Sequence, residues 1–166
     1  MVGRGDDAAN REAVVEFYRA NYEELFRFAR LLVDDQLSAE EVVQQAFVKL
    51  YDAWPRMDDQ RALRFVRVSI VHLARRRNAR SRDGATTIVL EPASNAEDLH
   101  ERVFAAMQQL SARQRECLVL RHYDGLTDIQ IAETVGCSIG SVRTHLRRGM
   151  ARLTGLLDER ALEVLR

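Results

Sequence analysis

Proline and glycine are scarce in this chain, at two and eight among 166 residues. Long helices are therefore permitted, and the dense turn signals of a β-rich fold are missing. Only two cysteines occur, Cys117 and Cys137, and they follow no disulfide or zinc spacing. A reducing, cytoplasmic compartment is the simplest home for them. No charge of either sign is in excess: 25 Lys+Arg balance 25 Asp+Glu. Total charge thus does not announce a nucleic-acid partner, and any such argument must rest on local distribution. No apolar run approaches the ~18–20 residues that cross a membrane. The N-terminus, with Arg4, Asp6 and Asp7, lacks the apolar stretch of a signal peptide. No membrane insertion is expected. Motifs of chemistry are missing too: no Gly-rich phosphate loop, no nucleophile elbow, no HExxH pattern. His72, His100, His122 and His145 are scattered, and Cys117 and His122 do not share a helical face. No enzyme, cofactor or metal site is expected.

What is present reads as helix. Hydrophobic residues make up 46% and charged residues 30%, a globular balance. Val15, Tyr18, Tyr22, Leu25, Ala29 and Leu32 recur on one helical face. Asp34, Asp35 and Gln36 interrupt them, and Ser38-x-x-Glu41 has the form of a capping box. A second amphipathic segment carries Val43, Phe47, Leu50 and Trp54, and Pro55 ends it. A third, from about Arg61 to Arg80, buries Leu63, Val66, Ile70 and Leu73. The stretch 81–96, with Gly84, Pro92 and several hydroxyl residues, reads as a flexible linker. Helicity resumes with Leu99, Val103, Ala106 and Leu110, and two more capping boxes follow, Ser111-x-x-Gln114 and Thr127-x-x-Gln130. The expected fold is all-α, two small helical domains joined by a linker. The expected divisions are a tail at 1–11, a domain at 12–80, the linker, a domain at 97–155 and a tail at 156–166.

The stretch from Leu126 to Leu153 reads as a helix-turn-helix. Ala132 is small where the two helices must approach, and Gly136 suits a left-handed turn. Ile131, Val135, Val142 and Leu146 are spaced to close a small core. The second helix then presents Ser138, Gly140, Ser141, Arg143, Thr144, Arg147 and Arg148, and from Ser138 to Arg152 there is no acidic residue. Arginine can bond a guanine edge bidentately or grip a phosphate, and a helix N-terminus also takes phosphate. These residues are the expected contacts to duplex DNA.

The third segment is the second basic surface. Arg61, Arg64, Arg67, Arg75, Arg76, Arg77, Arg80 and Arg82 stand without one carboxylate among them. Phe65, Ser69, His72 and Arg76 recur at helical spacing, which would set a ring, a hydroxyl and an imidazole beside the charge. That mixture suits unpaired bases, which need stacking and edge contacts. The second segment is acidic instead, with Glu40, Glu41, Asp52 and neighbouring aspartates, and suits protein docking better than DNA. Gln44 and Gln45 have no evident structural duty there.

Ala39-Glu40-Glu41-Val42-Val43-Gln44-Gln45-Ala46-Phe47, with Lys49-Leu50-Tyr51 and Trp54, resembles the region 2 helix of bacterial sigma factors. Leu110-Ser111-Ala112-Arg113-Gln114-Arg115-Glu116, followed by the helix-turn-helix, resembles their region 4. Both motifs, in this order, cover roughly residues 12 to 155. The short chain resembles the extracytoplasmic-function (ECF) group, and the arginine-rich third helix is most similar to an actinobacterial branch.

The resemblance implies that the chain binds core RNA polymerase and directs initiation at promoters. Glu40, Glu41, Gln44, Gln45, Phe47 and Leu50 would dock on the β′ clamp helices. Arg61, Arg64, Phe65, Ser69, His72, Arg75 and Arg76 would recognise and help melt the −10 element. The second domain would read the −35 element, chiefly through Arg143, Thr144, Arg147 and Arg148, and contact the β flap. An anti-sigma factor is a further partner such proteins can have. Two residues depart from the family pattern. Gln45 replaces an acidic residue, and His72 replaces an asparagine and could add pH sensitivity.

Ser111 to Leu153 also resembles the DNA-binding domain of LuxR-type regulators. A stand-alone regulator of that kind is the rival reading. It would bind an operator without polymerase, usually as a dimer. The first half shows no alternating strands and helices of a phosphoacceptor domain and its third segment is basic in its own right, which favours the sigma reading.

Overall fold

The structure, a computed structural model, describes residues 4–54, 57–81 and 99–163. The described residues form eight helices and no strand. They divide into two compact units, residues 1–77 and 78–166. Apart from Ser81, the expected linker at 81–96 lies outside the described residues, as do Pro55, Arg56 and Arg82.

The first unit contains α1 (Arg4–Arg30), α2 (Gln36–Ala53) and nearly all of α3 (Asp59–Ser81). The N-terminal stretch expected as a tail is therefore helical from Arg4. The buried stripe of α1 is Val14, Phe17, Leu25, Phe28 and Ala29, continuing into Leu32. Val15, expected inside, is exposed, and Tyr18 and Tyr22 are only half-buried. Burial at Val14 and Phe17 shifts the stripe round the helix. Phe17 can then meet Trp54 and Phe47 at 5.4 and 6.1 Å between ring centroids. From α2, Val42, Val43, Ala46, Phe47 and Leu50 face this core, and from α3 Ala62, Val66, Ile70 and Ala74. Each fully buried Leu, Ile or Phe contributes about 1.5–3 kcal/mol.

The start of α2 differs from the expected capping box. Asp35, not Ser38, is the N-cap, and its carboxylate accepts from the Ser38 backbone N–H at 2.8 Å. Ser38 is buried inside the first turn. An aspartate three residues earlier supplies the stronger acceptor, so the helix begins sooner. The Ser38 hydroxyl is left free to donate to Asp35 and to accept from Arg77 Nε at 2.6 Å. Arg77 also pairs with Glu41.

The second unit contains α4 (Leu99–Gln108), α5 (Ala112–His122), α6 (Asp128–Val135), α7 (Ile139–Leu156) and α8 (Glu159–Glu163). The last residues, expected as a tail, include a helix that packs on α4 and α7 and buries Ala161 completely. Arg102 holds Asp158 at its entrance at 2.8 Å. Both capping boxes expected here form. Ser111 N donates to Gln114 Oε1 at 3.1 Å and Gln114 N to Ser111 Oγ at 3.3 Å. Thr127 N donates to Gln130 Oε1 at 3.0 Å and Gln130 N to Thr127 Oγ1 at 3.3 Å. Gly136 ends α6 at φ 69°, the left-handed region where a side chain would be strained. Gly149 serves a different need. A Cβ there would lie 2.8 Å from Leu118 Cδ1 and 3.3 Å from Gln114 Cβ, so its absence lets α5 and α7 meet closely.

Candidate nucleic-acid and polymerase interfaces

In the second unit, α6, the Gly136 turn and α7 form the helix-turn-helix. Ile131, Val135 and Val142 are buried between the helices, whereas Leu146 is half-buried. Arg113 reaches across from α5, bonding the Val135 carbonyl at 2.9 Å and Glu116 at 3.0 Å. Arg113 and Glu116 of the Leu110–Glu116 motif thus serve the fold: Arg113 satisfies a carbonyl at the end of α6, and Glu116 accepts from Arg113.

Every residue expected to face duplex DNA lies on α7 or at its start. Ser138, Gly140, Arg143, Arg147 and Arg148 are exposed, and Ser141 and Thr144 are half-buried. Ser138 is the N-cap: its Oγ accepts from Ser141 N at 3.1 Å and lies 2.9 Å from Ser141 Oγ. Thr144 Oγ1 donates back to the Gly140 carbonyl at 2.9 Å. Arg143 has a partner that the sequence did not suggest. Its Nε donates to Asp128 Oδ2 at 2.8 Å, and Asp128 Oδ1 accepts from Arg121. The Arg143 hydrogen bond, aided by the nearby Arg121 charge, outweighs burial and holds the Asp128 carboxyl below the usual carboxylate range.

On α3 the expected −10 residues separate. Arg61, Arg64, His72 and Arg76 are exposed along one stripe, with Phe65 and Arg75 half-buried beside them. Ser69 does not belong to that face. It is 9% exposed and lies on the inner side with Val66 and Ile70. Position 69 is one helical turn from Val66 and directly precedes Ile70, so a small hydroxyl residue falls within the buried arc. The arginines also divide by task. Arg67 crosses to Glu24 of α1, with its guanidinium 5.9 Å from the centre of the Phe28 ring, and Arg77 serves the Ser38–Glu41 network.

On α2, Gln44 and Gln45 are exposed, and Glu40 and Glu41 are half-buried. Phe47 and Leu50, expected as docking residues, are core residues at 7% and 0% exposure. Phe47 packs its ring edge-on against Tyr18 at 4.8 Å. Sequence reasoning missed Leu37 and Val48, which are 63% and 66% exposed. With Glu41 and Gln44 they fall on one helical stripe, 37–41–44–48, opposite the buried face. The available signal was that these two apolar residues fall outside the 43–47–50–54 stripe. Among the described residues no helix is long and apolar enough to cross a membrane, and no cluster of His, Cys, Asp or Glu could hold a metal.

The arrangement is one helical unit with a basic stripe and a separate unit with a helix-turn-helix. The model of sigma-70 region 2 matches residues 17–82, and that of sigma-70 region 4 matches residues 100–153. The chain is 31% identical over 157 residues to the RNA polymerase sigma-E factor of Streptomyces avermitilis, covering 89% of this chain and 87% of that protein. It is 30% identical over 154 residues to the ECF RNA polymerase sigma factor SigC of Mycobacterium tuberculosis, covering 84% and 80%. The fold is shared with the sigma factor RpoE of Bartonella quintana, solved in complex with the anti-sigma factor NepR. The TM-score is 0.57 at 23% identity, over 94% of this chain and 98% of that one.

The chain belongs to the sigma-70 family of RNA polymerase sigma factors, in its extracytoplasmic-function group. It is a sigma factor that directs promoter-specific transcription initiation, and a LuxR-like stand-alone regulator is not favoured.

Proposed function

We propose that three surfaces divide the work of initiation. The stripe Leu37, Glu41, Gln44 and Val48 of α2, with Glu40 and Gln45 beside it, docks on the clamp helices of core polymerase. The exposed stripe Arg61, Arg64, Phe65, His72, Arg75 and Arg76 of α3 takes the −10 element as its bases leave the duplex. The α7 face, through Ser138, Gly140, Ser141, Arg143, Thr144, Arg147 and Arg148, reads the −35 element as duplex, and its unit contacts the β flap. The observation that carries this reading is the separation of surfaces in the first unit. One helix shows apolar and amide groups to solvent, and another shows arginines with a ring and an imidazole. Apolar anchors among polar groups suit a protein interface. Arginine and aromatic groups suit single-stranded DNA.

In this reading the protein acts in the cytoplasm and performs no chemistry of its own. Core polymerase supplies catalysis, and the sigma factor supplies binding free energy for base selection. An anti-sigma protein competing for one of these surfaces would restrain it, a partner suggested by the Bartonella relative.

Run-off transcription by purified core polymerase, with and without the protein, tests the proposal on promoter fragments of its own genome. Initiation from a subset sharing −35 and −10 sequences is expected. No initiation, together with tight polymerase-independent binding of a duplex site, would refute it.

A further inference from the structure

We infer that Asp128 is the positioning residue that orients Arg143 for reading a base. It binds the Nε end of that guanidinium while Arg121 binds the other carboxylate oxygen. The inference rests on α7 reading a duplex as proposed above.

The geometry divides one carboxylate between two arginines. Oδ2 takes Arg143 Nε at 2.8 Å, and Oδ1 takes an Nη of Arg121, the residue before the last of α5. The three side chains differ in exposure: Arg143 is 72% exposed, Arg121 34% and Asp128 24%. A long, exposed recognition-helix side chain is thus tethered to a mostly covered acid, which is itself tethered to a partly covered arginine. An exposed ion pair adds little to stability, so stability is a weak reason for this arrangement. Orientation is a better one. The guanidinium is a planar fork with five donors, and a bidentate bond to guanine O6 and N7 can use its two terminal Nη groups. The tether occupies Nε and leaves that end-on fork available. Fixing the side chain before binding also removes part of the entropy lost on binding.

Charge fits the same role. A lone carboxylate beside a phosphate backbone would repel it, but here two arginines leave the cluster with a net positive charge. Helix capping does not require the Arg143 contact, because Thr127 already caps α6. Asp128 at the first position of α6 could favour the helix dipole with no arginine at all.

The test selects sites from a random duplex library with the full chain, free and bound to core polymerase. It compares wild type, Asp128→Ala, Asp128→Asn, Arg143→Ala and the Asp128→Ala/Arg143→Ala double variant. Wild type is expected to prefer guanine at one −35 position. Arg143→Ala and Asp128→Ala should lose that same preference by on the order of tenfold, with other positions unchanged. The double variant should lose no more than Arg143→Ala alone, as expected for residues acting as one unit. Asp128→Asn keeps an acceptor in nearly the same shape. It should retain part of the preference and serves if Asp128→Ala does not fold.

An equal loss on every sequence, an unchanged base preference, or additive losses would each overturn the inference. So would tighter binding of all sequences by Asp128→Ala, because Asp128 would then be competing with DNA. Base preference that follows Asp128 while polymerase-dependent initiation is absent would support the positioning role and refute the sigma mechanism. Absence of any sequence-selective binding by wild type would overturn both.

Discussion

Val48→Asp and Phe47→Ala separate the outer and inner faces of α2 within two adjacent positions. Phe47 is 7% exposed and packs against Tyr18 at 4.8 Å and Phe17 at 6.1 Å between ring centroids. Truncating a buried phenylalanine costs about 3–5 kcal/mol, a large part of the ~5–15 kcal/mol that holds a domain folded. With a urea slope of ~2 kcal/mol/M, the unfolding midpoint of the first unit should fall by about 2 M. The chain's one tryptophan, Trp54, packs its ring at a tilt against Phe17 at 5.4 Å between centroids, so its fluorescence reports this unit. Val48 is 66% exposed. A surface substitution there should change stability by no more than ~0.5 kcal/mol, about 0.25 M in the midpoint. In the complex it should matter far more. Losing valine burial costs ~1.5 kcal/mol, and desolvating a carboxylate without a partner costs ~1–3 kcal/mol more. Together these predict roughly a hundredfold to a thousandfold weaker binding of core polymerase, measured by competition with a second sigma factor. If Val48→Asp binds core as well as wild type, the docking stripe is misassigned. If it unfolds as easily as Phe47→Ala, the two faces of α2 are misplaced.

Three other perturbations address the caps, the turn and the charge. Asp35 is pushed up by burial, but the Ser38 hydrogen bonds and the Arg77 charge outweigh that and leave its pKa lowered. A lowered folded pKa means its stabilisation is complete above the unfolded value and is lost as pH falls through the folded value. The first unit should therefore weaken on acidification below about pH 4, the ordinary aspartate value, and Asp35→Asn should flatten that dependence in urea titrations followed through Trp54. Gly136→Ala should cost ~1–2 kcal/mol, because φ is 69° there, seen as a lower denaturation midpoint for the second unit by circular dichroism. Arg147→Ala should weaken binding to every promoter alike and reduce the slope of log affinity against log salt by ~0.9, if its contact is to phosphate.

The helices were legible because their signals are local. The Ser111 and Thr127 capping boxes and the Gly136 turn each involve residues within three or four positions, and all three form. Two features were not legible and a third was misassigned, for physical reasons. Ser38 and Asp35 both suit an N-cap, and only the contact from Arg77, 39 residues on, shows what the buried serine does. Phe47 and Leu50 belong to a family motif, and a motif does not distinguish residues that touch a partner from residues that hold the helix in place. Periodicity did distinguish them, because both lie on the 43–47–50–54 stripe. Gly149 gave no turn signal, since its duty is to admit Leu118 of another helix.

The arginines show why zero net charge and two acid-free stretches are compatible. Acid-free in sequence is not acid-free in space. Arg67 and Arg77 of the basic α3 are answered by Glu24 and Glu41 of α1 and α2, and Arg143 of the basic α7 by Asp128 of α6. Each acid lies far from its arginine in sequence and reaches it across a helix interface. These contacts use arginine to join helices; Arg64 and Arg76 on α3 and Arg147 and Arg148 on α7 are exposed outside them. A count of arginines in the sequence therefore overstates the phosphates that each unit can neutralise. The salt dependence of promoter binding should scale with the arginines outside these pairs, because an arginine already held by a carboxylate releases few further counterions when DNA arrives.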